Sequence, residues 1–161
     1  ENDLASILKI LANFNFNILF TYANADPGGR IINQGIEQFC KINPKKYKVV
    51  KNLGQVKYLS TMKHVNLIVG NSSSGIIEAA SFKKAVVNIG RRQEGRLKGQ
   101  NIIDCNISSL GKSIELAISS NFRNKINNIE NIYGTGQTAA FIEEKLIRSP
   151  LSVIKKFRDQ A

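Results

Sequence analysis

Three consecutive serines form the part of the sequence whose residue types point most directly to chemistry. They are Ser72, Ser73 and Ser74, within the segment Gly-Asn-Ser-Ser-Ser-Gly at positions 70–75, between a predicted strand and a predicted helix. Serine hydroxyls and the unpaired N–H groups of a first helical turn are hydrogen-bond donors that suit a phosphate group. This segment, called the serine turn below, therefore predicts a phosphate-binding cradle. The alternative is that the serines only cap the helix, as serine commonly does.

A carboxylate follows the serine turn at helical spacing. Glu78 stands four residues after Ser74, which puts both side chains on one face of the predicted helix. A carboxylate there can accept two hydrogen bonds from a vicinal diol such as a ribose. The alternative is that an acidic residue near the beginning of the helix only stabilises the helix dipole.

A second polar loop lies earlier in the chain, between Asn24 and Arg30. It is either a plain turn with a glycine pair or a site in which Arg30 binds an anion at the beginning of the next helix. His64, the single histidine, lies at the end of a predicted helix, where a locally hydrogen-bonded ring is a better interpretation than a catalytic base. No cysteine, histidine or aspartate spacing predicts a metal site and no P-loop or dinucleotide glycine motif occurs, so we expect neither metal nor cofactor.

Alternating strands and helices must position these loops. Periodicity predicts strands at 16–22, 47–50, 66–70, 85–89 and 101–105, helices at 3–12, 29–41, 55–64 and 72–82, and further helices to the end, the last beginning at Pro150. Such alternation with short connections is typical of βαβ units, so we expect one α/β domain with a doubly wound parallel sheet. Ligands of such sheets bind at the carboxyl ends of the strands, where the serine turn falls.

Composition and charge set broader limits. The 161 residues are 42% hydrophobic and 22% charged, which is ordinary for one globular domain. No apolar run has the length of a membrane span and the acidic beginning is unlike a signal peptide, so we expect a cytoplasmic protein with reduced cysteines and no membrane partner. The net charge of +11 favours anionic partners and keeps a nucleic-acid-binding domain as an alternative. Because tryptophan is absent and aromatic residues do not alternate with the basic ones, we expect no nucleic acid.

Three longer stretches carry a resemblance to a known family. They run from Gly70 to Ala79, from Val86 to Arg96 and from Asn101 to Cys105, and together they resemble the hydrolysing UDP-N-acetylglucosamine 2-epimerases. The branch they resemble most releases N-acetylmannosamine for sialic acid synthesis. The Tyr-Ala-Asn-Ala-Asp stretch at 22–26 and the Tyr-Gly-Thr-Gly stretch at 133–136 are also similar to that family.

The resemblance implies a fold and a reaction. The family is similar to GT-B glycosyltransferases, with two Rossmann-like domains and the nucleotide-sugar between them. The resemblance covers nearly the whole chain and implies that residues 1–161 are the C-terminal, UDP-binding domain of such an enzyme, about half of it. The beginning at Glu1 rather than Met agrees with a fragment or a processed chain. For the complete enzyme, a homo-oligomer is expected. Its reaction would be loss of the proton at C2 with elimination of UDP, followed by hydration to N-acetylmannosamine, without metal or nicotinamide.

The resemblance also implies roles for individual residues. Ser72 and Ser73 match serines that hold the diphosphate, with Ser74 and Gly75 in the same turn, and Glu78 matches the acid that binds the ribose. The other matches are Arg92 at the nucleotide site, Asn24 and Arg30 beside the UDP moiety, and Asn52 and Leu53, whose backbone would meet the uracil.

Two departures from the family pattern matter. Ala85 stands where the family usually has proline, which affects a turn more than the chemistry. In addition, no His-Pro motif precedes the first helix. In the family, a histidine of that motif contacts the nucleotide-sugar, and the carboxylates near the sugar ring come from the N-terminal domain. We therefore expect no catalytic residue in this chain. A GT-B glycosyltransferase that uses a UDP-sugar remains the alternative of the same fold.

Overall fold

The protein folds as alternating helices and parallel strands. The computed structural model describes residues 2–24 and 27–150, with the strands β1 (Ile18–Thr21), β2 (Tyr47–Val50), β3 (Leu67–Gly70), β4 (Ala85–Ile89) and β5 (Ile102–Cys105). The helices are α1 (Asn2–Ala12), α2 (Gly29–Ile42), α3 (Gly54–His64), α4 (Ser73–Ile77), α5 (Leu110–Ile118), α6 (Ser120–Ile126) and α7 (Thr138–Arg148). The predicted α/β class is confirmed, and all five strands lie within the predicted segments.

The strands form two parallel ladders. In one, β1 pairs with β2; in the other, β4 lies between β3 and β5. Among the described residues, β1 has no ladder to β3, although a single sheet was expected. The two sets are joined by packing instead, because Phe20 of β1 and Val69 of β3 contact the same core cluster. Within each ladder the carboxyl ends of the strands, and the candidate loops that follow them, lie at the same edge.

Strand β4 is the centre of the core. Val87 is fully buried and packs with Leu110 and Ile114 of α5, whereas Val86, one residue earlier, packs with Met62 of α3 on the other face. Successive side chains of a strand point to opposite faces, so burial of both shows that helices cover both sides of the sheet. This is the doubly wound arrangement that the sequence predicted.

The helix predicted over residues 72–82 is interrupted. Helix α4 ends at Ile77, and a separate 3-10 turn runs over Ala79–Phe82. The side-chain amide of Asn131 donates to the carbonyl oxygen of Ile77 at 2.8 Å and to Ser81 Oγ at 2.8 Å, so a distant loop satisfies groups at the end of α4. The prediction of one continuous helix was wrong because this tertiary contact overrides the local periodicity.

The C-terminal part is less helical than predicted. Residues 127–137 form turns and irregular backbone between α6 and α7, and no side chain of α7 is buried. The helix predicted to begin at Pro150 lies outside the described residues. None of the helices in the described ranges is long and apolar enough to span a membrane.

Helix α5 offers a direct test of where the core lies. Leu110→Ala empties a site that is 0% exposed, so it should lower the free energy of unfolding by about 2–5 kcal/mol. Leu116→Ala in the same helix removes a side chain that is 51% exposed and serves as the control, with an effect within about 1 kcal/mol. Urea denaturation measures both, and equal losses would contradict this account of the core.

Candidate functional site

The candidate residues follow the carboxyl ends of successive strands. Asn24 comes after β1, Asn52 and Leu53 after β2, the serine turn after β3, and Arg92 after β4. Within each of the two ladders the strands are parallel, so the loops after β1 and β2 lie at one edge, and the serine turn and the loop of Arg92 lie together at the carboxyl edge of the other ladder.

The serine turn forms a compact hydrogen-bonded unit. Ser72 Oγ accepts a hydrogen bond from the backbone N–H of Ser74 at 3.3 Å, which makes Ser72 the N-cap of α4. Ser74 Oγ donates to Glu78 Oε2 at 2.6 Å. The predicted common face of Ser74 and Glu78 is therefore confirmed, and the carboxylate is oriented toward the turn. The capping role predicted as the alternative is also real, since one serine fills it while another contacts the carboxylate.

Gly75 packs tightly against β4. A Cβ atom at Gly75 would lie 3.1 Å from Cγ1 of Val86, closer than most side-chain contacts allow. The glycine is buried, and its lack of a side chain brings α4 close to the sheet. Its predicted contact with a ligand stays a prediction.

The loop after β4 reaches back to the serine turn through one oxygen atom. Arg92 Nη1 donates to the carbonyl oxygen of Asn71 at 3.1 Å, and Gln93 Nε2 donates to the same oxygen at 2.8 Å. Arg92 is exposed, whereas Gln93 is only 3% exposed. The structure thus brings Arg92 beside the serine turn, and its place at a nucleotide site stays a prediction. Sequence reasoning missed Gln93, because nothing in its residue type predicts burial.

The loop after β1 borders a cavity of about 600 Å³. Asn24 and Arg30 line it together with Tyr22 and Glu37. The Tyr22 hydroxyl donates to Glu37 Oε1, and this hydrogen bond raises the pKa of Tyr22 above its usual value, with burial and the Glu37 charge acting in the same direction. The structure therefore brings the two predicted residues of this loop to one cavity.

A second cavity, of about 450 Å³, lies beside the loop after β2. Asn52 and Leu53 line it, and Tyr22 and Asn24 line both cavities, so the two adjoin. Asn52 Oδ1 accepts the backbone N–H of Gly54 at 2.7 Å and so holds the turn that leads into α3. This hydrogen bond uses one acceptor position of the Asn52 side chain and leaves its two Nδ2 donors.

A polar row crosses β3, β4 and β5 near the serine turn. Gly70 pairs with Asn88, which pairs with Asp104. Asn88 Nδ2 donates to Asp104 Oδ1 at 2.7 Å, and Lys98 Nζ donates to Asp104 Oδ2 at 2.8 Å. Burial acts to raise the pKa of Asp104, but the hydrogen bonds from Lys98 and Asn88, with the charge of Lys98, hold that pKa below its usual value.

Metal-ligating groups do not gather in the described ranges. There, no three histidine, cysteine, aspartate or glutamate side chains lie close enough together to hold a metal ion. His64 is exposed at the end of α3, with Nδ1 3.0 Å from the carbonyl oxygen of Ser60, in agreement with the locally hydrogen-bonded ring that was predicted.

Comparison with known proteins identifies the family. A family model described as UDP-N-acetylglucosamine 2-epimerase matches residues 1–147. The chain is 44% identical over 124 residues to a hydrolysing GDP/UDP-N,N'-diacetylbacillosamine 2-epimerase of Campylobacter jejuni, covering 76% of this chain and 32% of that protein. It is 31% identical over 158 residues to polysialic acid biosynthesis protein P7 of Escherichia coli, covering 97% of this chain and 38% of that protein.

A solved structure agrees with the fold. The UDP-GlcNAc 2-epimerase of Neisseria meningitidis, in its complex with UDP-GlcNAc, superposes with a TM-score of 0.65 at 18% identity, over 92% of this chain and 41% of that one. The chain belongs to the UDP-N-acetylglucosamine 2-epimerase family, and the family predicted from the sequence is confirmed. It spans between 32% and 38% of the length of the two curated relatives named above.

The Asp104 hydrogen bonds predict a pH-dependent stability. A carboxyl whose pKa is lowered by folding stabilises the protein above its unfolded-state pKa, and this contribution is lost as pH falls through the lower folded-state pKa. Lys98→Met should therefore reduce the free energy of unfolding at neutral pH by less than about 1 kcal/mol, since the Asp104 side chain is 53% exposed. In acid, where Asp104 is protonated, the variant and the wild type should have the same free energy of unfolding.

Denaturant unfolding at several pH values measures this effect. Lys112→Met, at an exposed lysine of α5, is the control for the loss of one positive charge. A deficit in Lys98→Met that persists unchanged in strong acid would contradict an electrostatic origin.

Proposed function

We propose that the chain is the nucleotide-binding domain of a hydrolysing UDP-sugar 2-epimerase. The complete enzyme would convert UDP-N-acetylglucosamine, or a related UDP-2-acetamido sugar, into UDP and the 2-epimeric free sugar. The observation that carries the proposal is the joining of Arg92 to the serine turn through Asn71, at the carboxyl edge of the strands, in a chain of this family.

The serine turn and Arg92 would hold the diphosphate. The hydroxyls of Ser72 and Ser73 stand at the beginning of α4, and the exposed guanidinium of Arg92 lies next to them. Charge-assisted hydrogen bonds of this kind are stronger than neutral ones. In an elimination that expels UDP, negative charge grows on the departing diphosphate. Donors already aimed at that charge would stabilise the transition state, commonly by several kcal/mol.

Glu78 would bind the ribose. Its Oε2 already accepts from Ser74, which fixes the carboxylate beside the diphosphate cradle. A vicinal diol can donate two hydrogen bonds to a carboxylate. The diphosphate and the ribose are adjacent groups in UDP. The serine turn and Glu78 are also adjacent, so they can bind these two groups at the same time.

The adjoining cavities beside β1 and β2 would take the remaining UDP contacts. Arg30 and Asn24 line one, and Leu53 lines the other with Asn24. Backbone groups of Asn52 and Leu53 would meet the uracil, in a turn that the hydrogen bond from Gly54 to the Asn52 side chain holds.

The substrate and the missing parts are further proposals. One relative is described as a diacetylbacillosamine 2-epimerase, which supports a UDP-2-acetamido sugar as the substrate. Another is described as a polysialic acid biosynthesis protein, which supports a role of the enzyme in sialic acid-type sugar synthesis. We further propose that this chain is the C-terminal domain, that the full-length enzyme is a homo-oligomer, and that groups outside this chain remove the C2 proton.

Binding of UDP and of uridine to the 161-residue chain tests the diphosphate site. UDP should bind more tightly than uridine. Arg92→Ala should weaken UDP strongly and uridine hardly at all, whereas Glu78→Gln should weaken both by about 1–3 kcal/mol, since it removes a charged acceptor from the diol. Titration calorimetry measures these affinities.

Matched variants control for charge and for general effects. Arg91→Ala removes the neighbouring arginine, whose side chain is 86% exposed and paired with Glu94, and Glu115→Gln removes an exposed acid of α5. Both should bind UDP as the wild type does. Equal affinity for UDP and uridine in the wild type would mean that the serine turn only caps α4.

Turnover should be absent from this chain alone. Because the groups that act on the sugar ring are expected in the other domain, purified chain mixed with UDP-N-acetylglucosamine should release neither UDP nor N-acetylmannosamine above background. UDP binding by the same preparation is the control for a folded site. Sustained release of N-acetylmannosamine would overturn the assignment of the catalytic groups to a different domain.

A further inference from the structure

Gln93 donates a buried hydrogen bond to the backbone of the serine turn. Its Nε2 donates to the carbonyl oxygen of Asn71 at 2.8 Å, and the side chain is 3% exposed. Arg92 donates to the same oxygen at 3.1 Å but is exposed to solvent. Of the two donors, Gln93 is therefore the one shielded from competition by water.

Holding this carbonyl oxygen also aims an N–H group. In a planar trans peptide, the C=O of one residue and the N–H of the next point in opposite directions. The carbonyl of Asn71 and the N–H of Ser72 belong to one peptide unit, so a hydrogen bond that fixes the first also fixes the direction of the second. Ser72 is the first residue of the proposed diphosphate cradle.

Packing alone does not account for an amide at position 93. Gln93 Oε1 is buried without a hydrogen-bond partner within the described part of the chain, and burying an unpaired polar atom costs free energy. A methionine would fill a similar volume without that cost. The donor group of Gln93 is the part of the side chain that only a hydrogen-bonding residue supplies.

We propose that Gln93 is a positioning residue for diphosphate binding, acting through the Asn71–Ser72 peptide. This inference rests on the proposed function. Gln93 holds the peptide from the buried side, so the serine turn keeps its orientation when the Arg92 guanidinium turns from the Asn71 carbonyl to a bound diphosphate. Gln93 itself touches no ligand.

Two substitutions separate the donor from the packing. Gln93→Glu keeps the shape, but its carboxylate cannot donate to Asn71; once protonated, the same side chain can donate again. Gln93→Met keeps the length and removes the donor at every pH. Gln38→Glu, at an exposed position of α2 where the side chain already accepts from Lys41, is the control for the added negative charge.

The experiment measures UDP and uridine affinities by calorimetry in mildly alkaline buffer and in acidic buffer, in which a carboxyl buried at position 93 takes up a proton because burial raises its pKa. Each value is divided by the wild-type value at the same pH, which removes the titration of UDP itself. Gln93→Glu should bind UDP about tenfold more weakly in alkaline buffer, and recover in acid. Gln93→Met should lose about threefold to tenfold at both pH values, the range for one neutral hydrogen bond. Uridine affinity should not change in either variant.

The outcomes distinguish this inference from the function on which it rests. If wild type and Gln38→Glu do not prefer UDP to uridine, the proposed function fails. If they do, but both Gln93 variants match the wild type, the positioning role fails. Equal losses of UDP and uridine without recovery in acid would show a role in folding only and would also overturn it. If Gln93→Glu does not fold by circular dichroism, Gln93→Met decides.

Discussion

The parallel pairing of β3 with β4 is the constraint on which the candidate site depends. Gly70 pairs with Asn88, so β3 ends one residue before β4 and the loops that follow them begin side by side. One atom, the carbonyl oxygen of Asn71, then joins these loops by accepting from Arg92 and Gln93. A slip of one residue in this register would separate the donors from their acceptor and turn every side chain of β4 to the opposite face.

Burial at a distance from the site enforces that register. Val87 packs against α5 and Val86 packs toward α3. Asn88, on the same face as Val86, donates to Asp104. Exchanging the faces would turn Asn88 into the apolar cluster under α5 and break this hydrogen bond. Gly75 lets α4 approach the same strand closely. The free energy that orients the serine turn therefore comes largely from apolar contacts that no ligand reaches. The strands determine the relative positions of the loops.

Much of this arrangement could be predicted from the sequence, because strand and helix periodicities are local. The spacing of Ser74 and Glu78 predicted a shared helical face, and their 2.6 Å hydrogen bond bears this out. The break after Ile77 could not be predicted, since it depends on Asn131, 54 residues further along the chain. Gln93 was missed for a similar reason: its burial follows from the path of the loop after β4, and a polar residue type predicts exposure.

Amide chemical shifts of the isotope-labelled chain, followed during a titration with UDP, test the central claim most directly. The account predicts that the shifts that change belong to the serine turn, to the loop of Arg92 and Gln93, and to the loops after β1 and β2, which all follow the carboxyl ends of strands. Changes confined to the lysine-rich stretch at 41–48, with the serine turn unaffected, would mean that UDP binds only through the protein's positive charge. That result would contradict a nucleotide site at the carboxyl ends of the strands.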